Sequence, residues 1–211
     1  MKYKITEVKP RIFLLDFKDQ YTCNMMFLRY QEFYESPSSN FRGQSFTILD
    51  FIEYYSKTFG DGVFTYMVDW AGFNIPGQII KDVWKKGIYD LNDYDKEIRD
   101  AYFKCKEKYD DGKFYIIGSV GKGFAMKHEI AHGFFYTEPQ YKNKATEFVN
   151  KLAPSFRNKI YKELKRIGYS KKVYVDECQA YLATGFTETF NIKLNGEDKP
   201  FVKLYEKYYR K

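Results

Sequence analysis

Two spacings of apolar residues run through this chain. Short, nearly continuous apolar runs read as strands, and apolar residues recurring every three to four positions read as helices. Arg11-Ile12-Phe13-Leu14-Leu15-Asp16-Phe17, behind Pro10, is the first strand candidate. Tyr21 to Tyr34, rich in Met, Phe and Tyr, reads as a helix, closed by the polar turn-forming stretch Ser36-Pro37-Ser38-Ser39-Asn40. Ser45 is placed to cap a second helix running to about Lys57, with Ile48, Phe51, Ile52 and Tyr55 on one face. Gly60 and Gly62 supply the backbone freedom that ends it. Val63 to Val68, β-branched and aromatic, predicts a strand.

From Asp69 to Gly77 the periodicity stops, which predicts a loop. Trp70 and Phe73 lie in it, and large apolar side chains there either line a substrate site or fold onto the core, the second reading being favoured. Helices are expected from Gln78 to Trp84 and Asp95 to Tyr109, then a turn at Asp111-Gly112 and a compact strand from Phe114 to Gly118. Everything beyond is helical in pattern. One helix ends by Tyr136, two more span about Lys142 to Leu152 and Ser155 to Ile167, and others cover Val175 to Thr184 and Lys199 to Tyr209. The order predicts an α+β fold in a single domain over 1–211, with a small mixed sheet and helices in 1–118 and a mainly helical part in 119–211.

Composition narrows the class. With 211 residues, 44% of them hydrophobic, the chain is long enough to bury a substantial core. The net charge of +7 comes from scattered lysines. No compact basic run interleaves with aromatics, so no nucleic-acid partner is expected. No run approaches the roughly eighteen apolar residues of a membrane span. The first residues, Met1 to Glu7, lack the apolar core of a secretory signal, and Cys23, Cys105 and Cys178 are odd in number and widely spaced. Free thiols and a cytoplasmic location follow as expectations, although export without a signal would leave the same pattern.

The chemistry concentrates in one place. The chain has two histidines, and both fall in His128-Glu129-Ile130-Ala131-His132, an H-E-x-x-H pattern flanked by apolar Ala125 and Phe134. On a helix, positions i and i+4 share a face, so the two imidazoles would aim at one spot, as two neighbours in a metal shell must. Glu129 sits about 100° round from His128, free to move a proton instead of binding. That is the arrangement of a zinc hydrolase, in which the carboxylate takes a proton from metal-activated water.

Catalytic zinc usually takes a third protein ligand. With no further histidine, Glu177 is the first choice, because it lies on a later predicted helix among Val173, Val175, Ala180 and Leu182, where an unpaired carboxylate is costly. Asp176 is the alternative ligand, or else an acceptor for a histidine N–H. Glu138 is a further rival, six residues after His132, although Phe135 stands where a glycine would let that chain turn sharply.

In these residues the chain resembles the zincin metallopeptidases, and specifically the gluzincin pattern of H-E-x-x-H on one helix and Glu on a following one. The resemblance covers roughly Phe114 to Gly185. It implies a zincin-like fold, zinc held by His128, His132 and Glu177, Glu129 as general base, and a peptide or protein substrate. The chain departs from the thermolysin-like members, which carry Asp four residues after the ligand Glu where this chain has Tyr181. It also lacks the glycine-cysteine motif of peptide deformylases. The expected activity is hydrolysis of peptide bonds, with Tyr136 or Tyr181 as candidate donors to the oxyanion. The strand Phe114 to Gly118 is a candidate for pairing with an extended substrate. The competing expectation is a catalytically inactive zincin-like binding protein.

Overall fold

Strand β1 (Tyr3–Lys9) turns through Pro10 and Arg11 into β2 (Ile12–Phe17) in the computed structural model, which describes residues 3–121, 123–185 and 190–210. Arg11 makes the turn in the left-handed region at φ 66°, its amide donating to Glu7 and its guanidinium to Asp111. The alternation Tyr3, Ile5 against Lys4, Thr6 was the local sign of β1, which the sequence reading did not anticipate.

The chain divides into two compact units, Met1–Lys122 and Gly123–Lys211. The first holds a four-stranded mixed sheet in the order β1-β2-β4-β3, with β3 (Gly72–Pro76) and β4 (Tyr115–Val120). β2 and β4 run parallel, and the outer pairs are antiparallel. Five helices accompany it: α1 (Gln20–Glu35), α2 (Ile48–Thr58), the single turn α3 (Tyr66–Asp69), α4 (Gly77–Lys86) and α5 (Asp93–Lys108). α1 packs on β3 and β4, and Phe27 stacks on Phe73 at 5.5 Å between ring centroids. Gly118 permits that approach, since a Cβ there would lie 2.4 Å from the Phe27 ring. Across α1 the buried guanidinium of Arg29 binds Asp95 at 2.9 Å and Asp90 at 2.7 Å, tying the start of α5 to the core.

Four expectations for this unit are corrected. Val63 to Val68 is no strand. Tyr66 is buried in an aromatic cluster with Phe51, Phe64 and Phe73, and Asp69 accepts from both Tyr55 and Thr65, which draws the segment into a helical turn. Tertiary packing overrides β propensity there. The expected loop contains β3, whose Pro76 is tolerated because it ends an edge strand. Phe73 is buried in the core and Trp70 packs against it, as favoured. The cap of α2 is Thr47, two residues beyond Ser45, in a reciprocal capping box with Asp50. Finally, β4 is flanked by β2 and β3, so neither of its edges is open to an extended peptide.

The second unit is helical among its described residues: α6 (Phe124–Thr137), α7 (Pro139–Lys151), α8 (Pro154–Arg166), a short 3-10 turn (Lys171–Val173), α9 (Tyr174–Thr184) and α10 (Lys199–Tyr209). α9 is its axis and touches α6, α7, α8 and α10. That position buries it on nearly every side, which is why its sequence is apolar around Glu177. Phe134, Tyr141, Tyr205 and Tyr208 fill the space between α6, α7 and α10. Among the described residues no helix is long and apolar enough to cross a membrane, and no disulfide joins the buried Cys23, Cys105 and Cys178.

Candidate metal centre

Helix α6 carries the H-E-x-x-H residues inward, with His128, Glu129 and His132 all buried. Opposite them stands α9, entered through the short turn capped by Ser170. Its first turn holds Asp176 and Glu177, where the positive end of the helix dipole favours carboxylates.

The two imidazoles meet at their Nε2 atoms, 3.2 Å apart. His128 Nε2 lies 3.6 Å from Glu177 Oε2, and His132 Nε2 lies 3.5 Å from Glu177 Oε1. Zinc bound to nitrogen and oxygen at about 2.0–2.1 Å sets its tetrahedral ligand atoms about 3.3–3.4 Å apart. The observed separations bracket that edge.

Hydrogen bonding behind the rings fixes which lone pairs point inward. His132 Nδ1 donates to Asp176 Oδ1 at 2.8 Å. Thr184 Oγ1 gives its proton to the Ala180 carbonyl at 2.7 Å and is left to accept from His128 Nδ1 at 3.4 Å. With both Nδ1 atoms acting as donors, the Nε2 atoms face each other and the carboxylate, and each offers a lone pair whenever its ring is neutral. Glu177 Oε2 is buried and has no hydrogen-bond partner among the described residues. Two ring nitrogens and a carboxylate thus converge in a buried place, where a metal ion or a proton on one ring can balance the charge.

The electrostatics show how that charge is balanced. Burial, with the neighbouring His132 adding to it, pushes His128 down to about 4, so it is neutral at pH 7 and ready to ligate. Burial raises the Glu177 carboxyl to about 7, against the charge of His132 and a hydrogen bond from Tyr169. Burial also opposes charge on His132, but Asp176 and Glu177 outweigh it and hold its pKa well above the ordinary value. A proton on His132 answers the local negative charge when no metal does.

A second chain of buried bonds stands behind Asp176. Gln179 Nε2 donates to Asp176 Oδ1 at 2.9 Å and to the Ala131 carbonyl at 3.3 Å, and its Oε1 accepts from Tyr141 at 2.8 Å. One glutamine therefore ties α7 and α6 to the carboxylate that orients His132.

His128, His132 and Glu177 form the one group among the described residues that could hold a metal ion through three side chains. Asp176 stands behind His132 as an acceptor. Glu138, at the corner between α6 and α7, is outside the group. Tyr181 packs on His128 with ring centroids 4.3 Å apart and its hydroxyl 3.4 Å from that of Tyr169, whereas Tyr136 is 40% exposed. Gln179, Tyr141, Thr184 and Tyr169 were not anticipated. Helical spacing could have flagged two of them, since Gln179 is three residues after Asp176 and Thr184 seven after Glu177.

No family model, no curated protein and no solved structure matches this chain. The case for function therefore rests on the geometry of α6 and α9.

Proposed function

We propose that this chain is a zinc-dependent metallopeptidase of the gluzincin type, with His128, His132 and Glu177 as the metal ligands and Glu129 as the general base. The observation that carries the reading is the convergence of three buried side chains, one of them Glu177 with its unpartnered Oε2, on a single point. Two imidazoles and a carboxylate are the donor set of a catalytic zinc site with one position left for water or substrate. When bound, zinc acidifies water from a pKa of about 16 to about 7 and polarises a carbonyl.

The chain's own residues supply the rest. Glu129, adjacent to His128 and buried, accepts the proton of the attacking water and passes it to the leaving amine. Asp176 holds His132 in the tautomer that keeps Nε2 unprotonated. Burial, first of all, keeps the Tyr181 hydroxyl protonated far above neutral pH, so it serves as a donor to developing negative charge. The substrate is a peptide or protein.

The test is metal content of the purified chain beside His132→Ala and Glu177→Ala, followed by peptide hydrolysis with Glu129→Gln as control. Near-stoichiometric zinc in the wild type and in Glu129→Gln, lost in the two ligand variants, with hydrolysis in the wild type alone, is the expected result. Zinc held without hydrolysis of any peptide would make this a binding protein on a metal-stabilised scaffold. Wild-type protein that takes up no zinc would end the proposal.

A further inference from the structure

Between α7 and α10 runs a groove of about 680 Å³ with an apolar floor and a cationic rim. Phe148, Leu204 and Tyr208 form the floor, and none of them is among the large apolar side chains that stand exposed on the surface. Lys199, Lys203 and Lys207 line one side, and Lys144 lies across, held by Glu147 at 2.8 Å and over the Phe148 ring at 5.2 Å.

The row on α10 is not explained by the stability of its own helix. Lys199 opens the helix, at the end whose dipole repels a cation. Lys203 and Lys207 follow at four-residue intervals, the spacing at which like charges oppose each other. None of the three makes an ion pair among the described residues, because Glu147 is shared by Lys144 and Lys151 and Glu206 binds Arg210.

We propose that this groove is the docking site for an acidic amphipathic α-helix of a partner protein. Lysines four residues apart stand about 6 Å apart along the helix axis, which is also the rise between glutamates four residues apart on a partner helix. Apolar side chains on the partner's inner face reach the recessed floor, as in helix-in-groove recognition. An extended acidic strand fits less well, since a cleft between two helices gives its backbone no hydrogen-bonding edge. Single-stranded nucleic acid needs open aromatic faces for its bases. Here Phe148 is covered by Lys144 and Tyr208 is buried. A membrane surface calls for apolar side chains that protrude, and these are sunk below the lysines.

The experiment uses the full chain and a panel of labelled synthetic helices with leucine on one face and glutamate at four-residue intervals beside it, measured by fluorescence anisotropy. At low salt at least one should bind with a Kd below about 100 μM. The combined Lys199→Glu, Lys203→Glu and Lys207→Glu variant should weaken it at least tenfold, and Leu204→Ser severalfold, with the thermal midpoint unchanged as the check on folding. The comparison probes are a single-stranded oligonucleotide and phosphatidylserine vesicles. Failure of every peptide to bind below 1 mM, binding that survives the triple reversal, or tighter binding of either comparison probe through the same lysines would overturn the proposal.

Discussion

Asp176→Ala should cost the chain most of its hold on zinc while leaving all three proposed ligands in place. The wild-type carboxylate accepts from His132 Nδ1 at 2.8 Å and from Gln179 Nε2 at 2.9 Å. His132 is 2% exposed, so after truncation its Nδ1–H has no acceptor and little access to water. Leaving a buried donor unsatisfied costs about 1–3 kcal/mol. Removing the acceptor behind a metal-bound histidine costs about 10–100-fold in affinity, which at about 1.4 kcal/mol per decade is the same range. Asp176→Asn keeps an acceptor but loses its charge, and should fall between wild type and Asp176→Ala. Gln179→Leu removes three hydrogen bonds of about 1 kcal/mol each, so it should reduce stability more than Asp176→Ala and zinc affinity less. Competition against a chromophoric chelator at pH 7.5, with thermal melts of the same samples, reads both quantities. An Asp176→Ala protein that melts cooperatively and binds zinc within threefold of wild type would refute the claim that Asp176 sets the aim of His132.

Three further outcomes follow from the same structure. On the proposed ligand set, zinc would displace protons from Glu177, raised to about 7 by burial, and from His132, held protonated by its carboxylates, so affinity should fall at least tenfold from pH 8 to pH 6. A flat profile in isothermal titration would show that these groups are not the ligands. Glu32, buried on α1, has its carboxyl raised from 4.5 to about 7 by desolvation, against a hydrogen bond from Tyr66. Its stabilising share is complete below about pH 4.5 and is lost as pH rises through 7, a swing of about 3 kcal/mol at about 1.4 per unit. Glu32→Gln, which cannot ionise, should abolish that swing in urea unfolding, and an unchanged pH profile would exclude Glu32 as its source. Gly185→Ala places a Cβ 2.1 Å from the Phe124 ring, which lies 5.9 Å from that of His128. Phe124 should swing aside at a cost of about 1 kcal/mol, and carbethoxylation of His128 in metal-free protein should speed up. An unaltered rate would mean that Phe124 does not shield it.

What the sequence disclosed here follows from the range of each signal. The inward aim of His128 and His132 depends only on the local turn of a helix, so spacing alone gave it. Glu177 was legible because a carboxylate in an apolar helical stretch calls for a partner. The choice between ligand and orienting acceptor for Asp176 depended on where α9 faces α6, and no local pattern encodes that. Gln179 and Tyr141 are neutral, and their roles arise only where three helices meet. β3 was hidden in the same way, because the glycine and proline that read as loop punctuation sit at the ends of an edge strand whose pairing is with residues far along the chain.

The parallel pairing of β2 with β4 has a consequence for how the protein is made. Everything from Lys18 to Phe114 must be synthesised between the two strands, so the Ile12–Phe17 strand leaves the ribosome long before its inner neighbour exists. Until then the β1–β2 hairpin presents an unpaired edge carrying Ile12, Phe13, Leu14 and Leu15, all buried in the finished fold. Contacts of such long sequence separation form slowly. The nascent chain is therefore most prone to aggregate over that interval, and a chaperone that binds short apolar segments would find its first target at Ile12–Phe17. The three proposed metal ligands, His128, His132 and Glu177, all follow β4 in the chain, so the first unit can close its sheet before they have all been synthesised.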